Sequence, residues 1–319
     1  MIHRVVIIFL LTSLNVHAAL CQSPYVDSLE NLVKSKIPDT VKVWALNELS
    51  REFIFGSPKE SFRLANEALT LAQRIGYKRG EAYSYRVLAS MSGAHDQYLP
   101  YSEYLQKGIK LFIELKDSVG LANCFITEAV VYNRQLNFEE SIKSYKKAIS
   151  IFRSANLEDR IAVCLSNMGF VFFRMENYPN AKESLVEAIA MKDAIDNTPT
   201  LMNAYNNLGL VELKLANIPS AEDYFEKVLS LNEALKDNSN SETYVETLIG
   251  LSDIYKLKGN PAQQEKYLGL ARENAEQFQN LELMKEVYLR LAGYYLHKQN
   301  YEMARESFQN LSVTDDSIT

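Results

Sequence analysis

Few residues in this chain have the type and spacing to do chemistry. There are three cysteines, Cys21, Cys124 and Cys164, and four histidines, His3, His17, His95 and His297. None of them clusters at metal-ligand spacing, so no metal site is expected. No H-E-x-x-H, paired C-x-x-C, G-x-S-x-G or phosphate-binding glycine loop occurs. Adjacent carboxylates, such as Glu139 and Glu140 or Asp315 and Asp316, have the look of charged helix surface. His95 and His297 have no nucleophile in register, so no catalytic residue and no cofactor are expected. Side chains suited to binding are more numerous. Asn167, Asn203, Asn206 and Asn207 carry amides that both donate and accept, which suits them to clamping a peptide backbone. Arg174 and Lys214 offer cationic anchors for acidic groups, and Arg86, Phe170 and Thr127 stand at related groove positions.

The elements that must position these residues are helical. The chain has 319 residues, is 47% hydrophobic and 23% charged, and contains only 12 Gly and 8 Pro. That composition buries a sizeable core and leaves little room for the dense turns of an all-β fold. The net charge of −6 gives no electrostatic case for nucleic acid. The basic stretch "RIGYKRG" (74–80) reads as a connection between elements.

The N-terminus reads as an export signal. Arg4 supplies a positive start, "VVIIFLLTSL" an apolar stretch too short to span a bilayer comfortably, and "NVHAALC" a small-residue tail. Cleavage after residue 21 would take Arg4 away and leave a charge of −7, in a periplasmic or secreted protein. Lipidation of Cys21 is the rival, although Leu20 fits that site poorly.

Self-similarity is the strongest signal. "NMGFVFFRMENYPNAKESLVEAI" (167–189) matches "NLGLVELKLANIPSAEDYFEKVL" (207–229), with Gly169 on Gly209, Asn177 on Asn217, Pro179 on Pro219 and Ala181 on Ala221. The offset of 40 continues backwards through segments at 128, 88 and 48. It continues forwards to 251, after 43 residues, and to 291. Three recurring slots are small: Ala89, Ala129, Gly169 and Gly209 in the first helix; Ser61, Ser141, Ala181, Ala221 and Ala304 at the start of the second; Ala68, Ala148, Ala188 and Ala271 further along it. Small residues at helix crossings allow close approach. Leu49, Tyr101, Gln264 and Leu311 are large where the pattern wants small, so the outer units should pack less regularly. Tyr145, Leu185, Phe225 and Phe308 are expected to fill between the helices.

This pattern resembles the tetratricopeptide repeat (TPR), in a long 40-residue form. The resemblance implies an all-α fold, a right-handed α-solenoid of about seven helix-turn-helix units. They fall near 42–75, 82–115, 122–155, 162–195, 202–235, 245–278 and 285–319, with a helical lead-in at 22–40. It also implies a concave groove lined by the first helices, which binds a protein or peptide. Asn167 and Asn207 head its ladder, Phe170 faces it, and Phe172 and Phe173 go to packing and a helix edge. The competing reading of these polar residues is a solvated helix face. The carboxylate-clamp pattern for free C-termini fails, because Arg86 is followed by Ser90 and Thr127. Long repeats of this type are similar to exported sensor or scaffold regions of Bacteroidetes-like bacteria. That resemblance implies either a free non-enzymatic scaffold or the periplasmic input region of a histidine kinase or transcriptional regulator whose chain continues past Thr319. Association of copies through the solenoid ends is a further possibility.

Stacked units place Cys124 and Cys164 in the same slot of adjacent units, about 8–10 Å apart. A disulfide needs Cα atoms within about 7 Å, so two reduced cysteines are expected.

Overall fold

A computed structural model describes residues 24–54, 57–95, 98–191, 198–235, 241–277 and 281–318. The expected signal segment 1–21, its Cys21, and residues 236–240 of the loop-like "KDNSNSET" lie outside these. Among the described residues there are fifteen helices and no strand. A short α1 (Pro24–Lys34) precedes seven pairs: α2 (Asp39–Glu52) with α3 (Pro58–Arg74), α4 (Lys78–Ala94) with α5 (Tyr98–Glu114), and α6 (Ser118–Arg134) with α7 (Phe138–Ser154). These are followed by α8 (Glu158–Arg174) with α9 (Tyr178–Ala190), α10 (Thr198–Lys214) with α11 (Ile218–Leu235), α12 (Ser241–Leu257) with α13 (Pro261–Gln277), and α14 (Leu281–His297) with α15 (Tyr301–Ile318). The aromatic run at 170–173 is therefore helix. No helix of the described residues is long and apolar enough to cross a membrane.

Eight of the described helices end in the same way. Gly76, Lys116, Leu136, Asn156, Glu176, Ala216, Gly259 and Gln299 each take a left-handed φ between 53° and 68°. The next amide then donates back to the carbonyl five residues earlier, as in Asp117 to Phe112 (2.9 Å), Asn137 to Tyr132 (2.8 Å) and Asn177 to Phe172 (2.9 Å). This is the Schellman closure of a helix end. In four of these turns the donor residue also caps the following helix with its side chain. Asp117 Oδ1 accepts from the Gly120 amide at 2.8 Å and Asn260 Oδ1 from the Gln263 amide at 3.2 Å. One turn therefore ends one helix and starts the next with no linker between them.

The pairs stack in sequence order. Each second helix packs on the first helix of its own unit and of the next, and neighbouring first helices also meet, as α2 meets α4 and α10 meets α12. Among the described residues the second helices make no comparable contact with each other, so the first helices form the inner layer. Within that layer α6 and α8 approach less closely than the other neighbours.

The core follows the small-residue slots. Ala89, Ala129, Ala148, Ala181, Ala188, Ala221 and Ala271 are fully buried. A β-carbon added at Gly169 would stand 2.6 Å from Leu185 Cγ. Phe225, fully buried, sits between Gly209 and Gly250, and a β-carbon at either would fall 2.5 Å from its ring. Tyr145 and Leu185 fill between helices as expected, but Phe308 is 44% exposed. It lies on the face of α15 that no later described helix covers.

Cys124 and Cys164 are free and fully buried, and burial pushes both thiols up to about 12. In a Cys21→Ser background, neither should react with a thiol-specific chromogenic disulfide in the native protein, and both should react in guanidinium chloride. Rapid native reaction of either would contradict the packing. The glycines give an opposed pair of outcomes. Gly209→Ala should cost about 1–3 kcal/mol by crowding Phe225. At Gly293 a β-carbon meets nothing within 4 Å, so Gly293→Ala should gain about 0.5–1 kcal/mol of helix stability. Denaturant melts of the two variants check both signs.

Candidate binding groove

The inner layer presents a few helical slots to one side, and two cavities open there. The first, about 710 Å³, lies across α2, α4, α6 and α8, with Trp44, Tyr83, Arg86, Asn123, Arg160 and Asn167 on its walls. The second, about 570 Å³, lies across α8, α10, α12 and α14, with Phe173, Leu213, Lys214, Glu246, Leu257 and Arg290 among its walls. A further hollow of about 890 Å³ continues along α12 and α14 past Leu289 and Gly293 to His297. Successive first helices line the first two, and the third shares Asp253, Lys256 and Arg290 with the second while also taking Pro261, Gln264 and Leu268 from α13.

The structure divides the expected binding residues into two sets. Arg86 and Asn167 do line the first cavity and Lys214, exposed, the second. Asn167 also faces the Tyr145 hydroxyl, which burial pushes up and that contact lowers. Phe170 is half-buried, its ring 6.3 Å from that of Phe173. Phe173, assigned to a helix edge by sequence, thus belongs to the groove wall.

The second set is buried or engaged in hydrogen bonds, and three of its members, Asn203, Asn206 and Arg174, join neighbouring helices. Asn206 is fully buried: its Nδ2 donates to Glu246 Oε2 at 2.9 Å, and its Oδ1 accepts from Thr247 Oγ1 at 2.9 Å. Asn203 Oδ1 accepts from Thr243 Oγ1 at 3.0 Å. Thr127 is 5% exposed and donates to the Asn123 carbonyl within its own helix. Asn207 is buried as well. Arg174 Nη1 donates to the Asn133 carbonyl (2.9 Å) and Oδ1 (2.8 Å) across the wider α6–α8 step, its guanidinium over the Phe138 ring. Thr127, Asn206 and Asn207 thus lie at buried positions, and Arg174 braces α8 to α6. Buried amides must be satisfied, and the adjoining helix is the nearest source of partners.

Several groove residues escaped the sequence reading. Tyr83, Asn123 and Glu246 occupy the slot of Asn203, three residues before the Arg86–Asn206 slot, and tabulating it would have found them. Tyr83 donates to Glu48, which also pairs with Arg51 at 2.9 Å. Arg79, within "RIGYKRG", pairs with Asp117 at 2.8 Å from the first turn of α4 and lines the first cavity. Arg290 braces α14 to Asp253 of α12 at 2.6 and 2.7 Å.

The groove is electrostatically uneven. Burial first, then the charges of Glu242 and Glu286, push the Glu246 carboxyl up to about 8, against the hydrogen bond donated by Asn206. Among the described residues no group of three His, Cys, Asp or Glu is arranged to hold a metal ion.

Models of the tetratricopeptide repeat match residues 121–194 and 201–238, so the central part of the chain carries tetratricopeptide repeats. The architecture is the corresponding α-solenoid. No curated protein matches the sequence. Among solved structures, the apo form of RapI is similar at TM-score 0.63 and 15% identity, over 87% of this chain and 98% of that one. A Rap protein complexed with Competence and Sporulation Factor gives 0.61 and 14%, over 92% and 91%. The apo quorum sensor NprR from B. thuringiensis gives 0.61 and 19%, over 92% and 81%. At these identities the likeness is one of fold.

The raised Glu246 carboxyl makes stability depend on pH. The folded chain keeps the proton up to about 8, whereas the unfolded chain releases it near 4.5. Stability from this group is therefore complete below 4.5, falls as pH rises through 8, and is flat above. Glu246→Gln keeps an acceptor for Asn206 and should remove that slope. It should match wild type at pH 4 and exceed it by about 1–3 kcal/mol at pH 9. Parallel melting curves at all pH values would refute this.

Proposed function

We propose that this chain is a non-enzymatic binding scaffold that takes a protein or peptide segment along the inner face of its first helices. The observation that carries the reading is the continuous row of cavities on that face, with large apolar side chains left uncovered beside them. Leu257 is 66% exposed and Leu289 57%, both on groove walls. Exposed apolar surface in a polar-rimmed concavity is where a partner gains most from burial. Two fold neighbours support a role in recognition, one named a quorum sensor and the other complexed with a factor.

The export signal read from residues 1–21 makes the proposed setting the periplasm or the exterior, with Cys21 lipidation as its variant. A sensing role is the second reading, favoured by the same neighbours and by a solved signal-transduction ATPase with a tetratricopeptide repeat sensor, PH0952, from Pyrococcus horikoshii (TM-score 0.60, 18% identity, over 92% of this chain and 43% of that one). In that role, occupancy of the groove would be transmitted to an attached effector.

Panning a random dodecapeptide phage library against the protein tests the groove. Enriched peptides should lose about tenfold or more in affinity on a Leu257→Arg/Leu289→Arg variant whose melting temperature is unchanged. Failure to enrich any peptide, or equal binding to the variant, would sink the reading.

A further inference from the structure

Arg86 is a polar group on the groove that is left incompletely satisfied. Its Nε is buried with no hydrogen-bond partner. Its guanidinium lies 4.7 Å from the Tyr83 ring centroid, so the ring face rather than a carboxylate holds it in place. Tyr83 itself is fixed by donating to Glu48. A buried charge without a counter-ion is costly, and burial holds this guanidinium below its ordinary pKa.

Three further arginines line the same cavity: Arg51 on α2, Arg79 on α4 and Arg160 on α8. Against them stand two carboxylates, Glu48, shared between Arg51 and Tyr83, and Asp117, paired with Arg79. Arg160 reaches only its chain neighbour Asp159, at 3.5 Å, and is half exposed. The cavity therefore holds an excess of two positive charges in a chain of net charge −6. The cationic excess is concentrated here and does not follow from the overall charge.

We propose that this reach of the groove, from α2 to α8, binds a run of Asp or Glu side chains in an extended peptide segment, with one carboxylate seated on Arg86. The proposal rests on the groove reading above and gives its ligand a chemistry. A guanidinium stacked on an aromatic ring with unspent N–H donors suits a carboxylate, to which arginine's fork donates in a bidentate manner. Arg51 and Arg160 stand on helices three packing steps apart, roughly 24–30 Å at helix spacing. A single terminal carboxylate cannot reach both. An extended strand of about eight residues can, at ~3.3 Å per residue. Glu48 and Asp117 within the same cavity disfavour a phosphate backbone, whose charge is denser and would meet them directly.

Binding of three probes measured by fluorescence anisotropy tests this. They are an end-capped dodecapeptide alternating Glu and Leu, its twin with Gln for every Glu, and a 12-nucleotide oligothymidylate. The Glu peptide should bind at least about tenfold more tightly than the Gln twin, and raising salt from about 50 to 500 mM should narrow that gap. Arg86→Gln should abolish the preference, and Arg86→Lys should restore part of it. Arg160→Gln, on an exposed side chain, should lower Glu-peptide affinity severalfold, and it decides the matter if Arg86→Gln does not fold.

Equal binding of the twins, absence of Glu-peptide binding, indifference to both substitutions, or tighter binding of the oligothymidylate would each overturn the proposal. The groove reading fails separately, when library panning yields no ligand sensitive to Leu257 and Leu289. Ligands that depend on those leucines but ignore Arg86 would remove this inference and leave the groove in place.

Discussion

A left-handed residue recurring once or twice per repeat governs this molecule. At Lys116, Leu136, Asn156, Glu176 and Ala216 the chain closes one helix and caps the next within two residues. That leaves no freedom in how consecutive helices are joined. Most of these positions are not glycine, and each non-glycine residue there costs about 1–2 kcal/mol. The compensation is a regular stack in which every helix meets the same neighbours, so that side chains in equivalent slots meet equivalent partners. Asn137, Asn177, Asn217, Asn260 and Asn300 recur at the capping position, and at Asn177, Asn260 and Asn300 the short amide accepts from the new helix from within the turn.

Regular stacking then places two demands on the first helices. Their outward side must allow close crossing, which Gly169 and Gly209 permit by giving up a side chain to Leu185 and Phe225. Their inward side must join helix to helix without hydrophobic cover. Polar groups do this in different ways along the array: Asn47 donates to Ser84 at 2.9 Å, Arg174 to Asn133, Asn206 to Glu246, and Arg290 to Asp253. The groove floor is therefore a network of inter-helix hydrogen bonds, and a ligand meets the groups left over from it.

This division explains what the sequence revealed. The period of 40, the helical class and the small-residue slots were legible because each depends on contacts repeated in every unit. The binding residues were only partly legible. A slot identifies which face a side chain is on, but not whether a neighbour at the next unit claims it. Asn206 and Asn167 share a residue type and nearly a slot. Thr247 and Glu246 lie opposite one, whereas only the Tyr145 hydroxyl faces the other. Phe308 fills between helices only in part, because its slot relies on a following unit and none of the described helices supplies one. Arg79 was hidden because helix α4 begins inside what reads as a basic connection.

The order of contacts has a kinetic consequence. Each helix touches only partners within about one repeat of it along the chain, so no part of the fold waits for distant segments to find one another. Loop-closure entropy stays small, and ordering can start in any well-packed pair and spread outward. The central units, with their glycine and alanine crossings intact, are the natural place for it to start. The sixth and seventh, with Gln264 in a crossing slot and open space beside Gly293, would order last and open first. The solenoid would therefore breathe from its C-terminal units, and the apolar wall formed by Leu257 and Leu289 lies on the part of the array that can yield to its ligand.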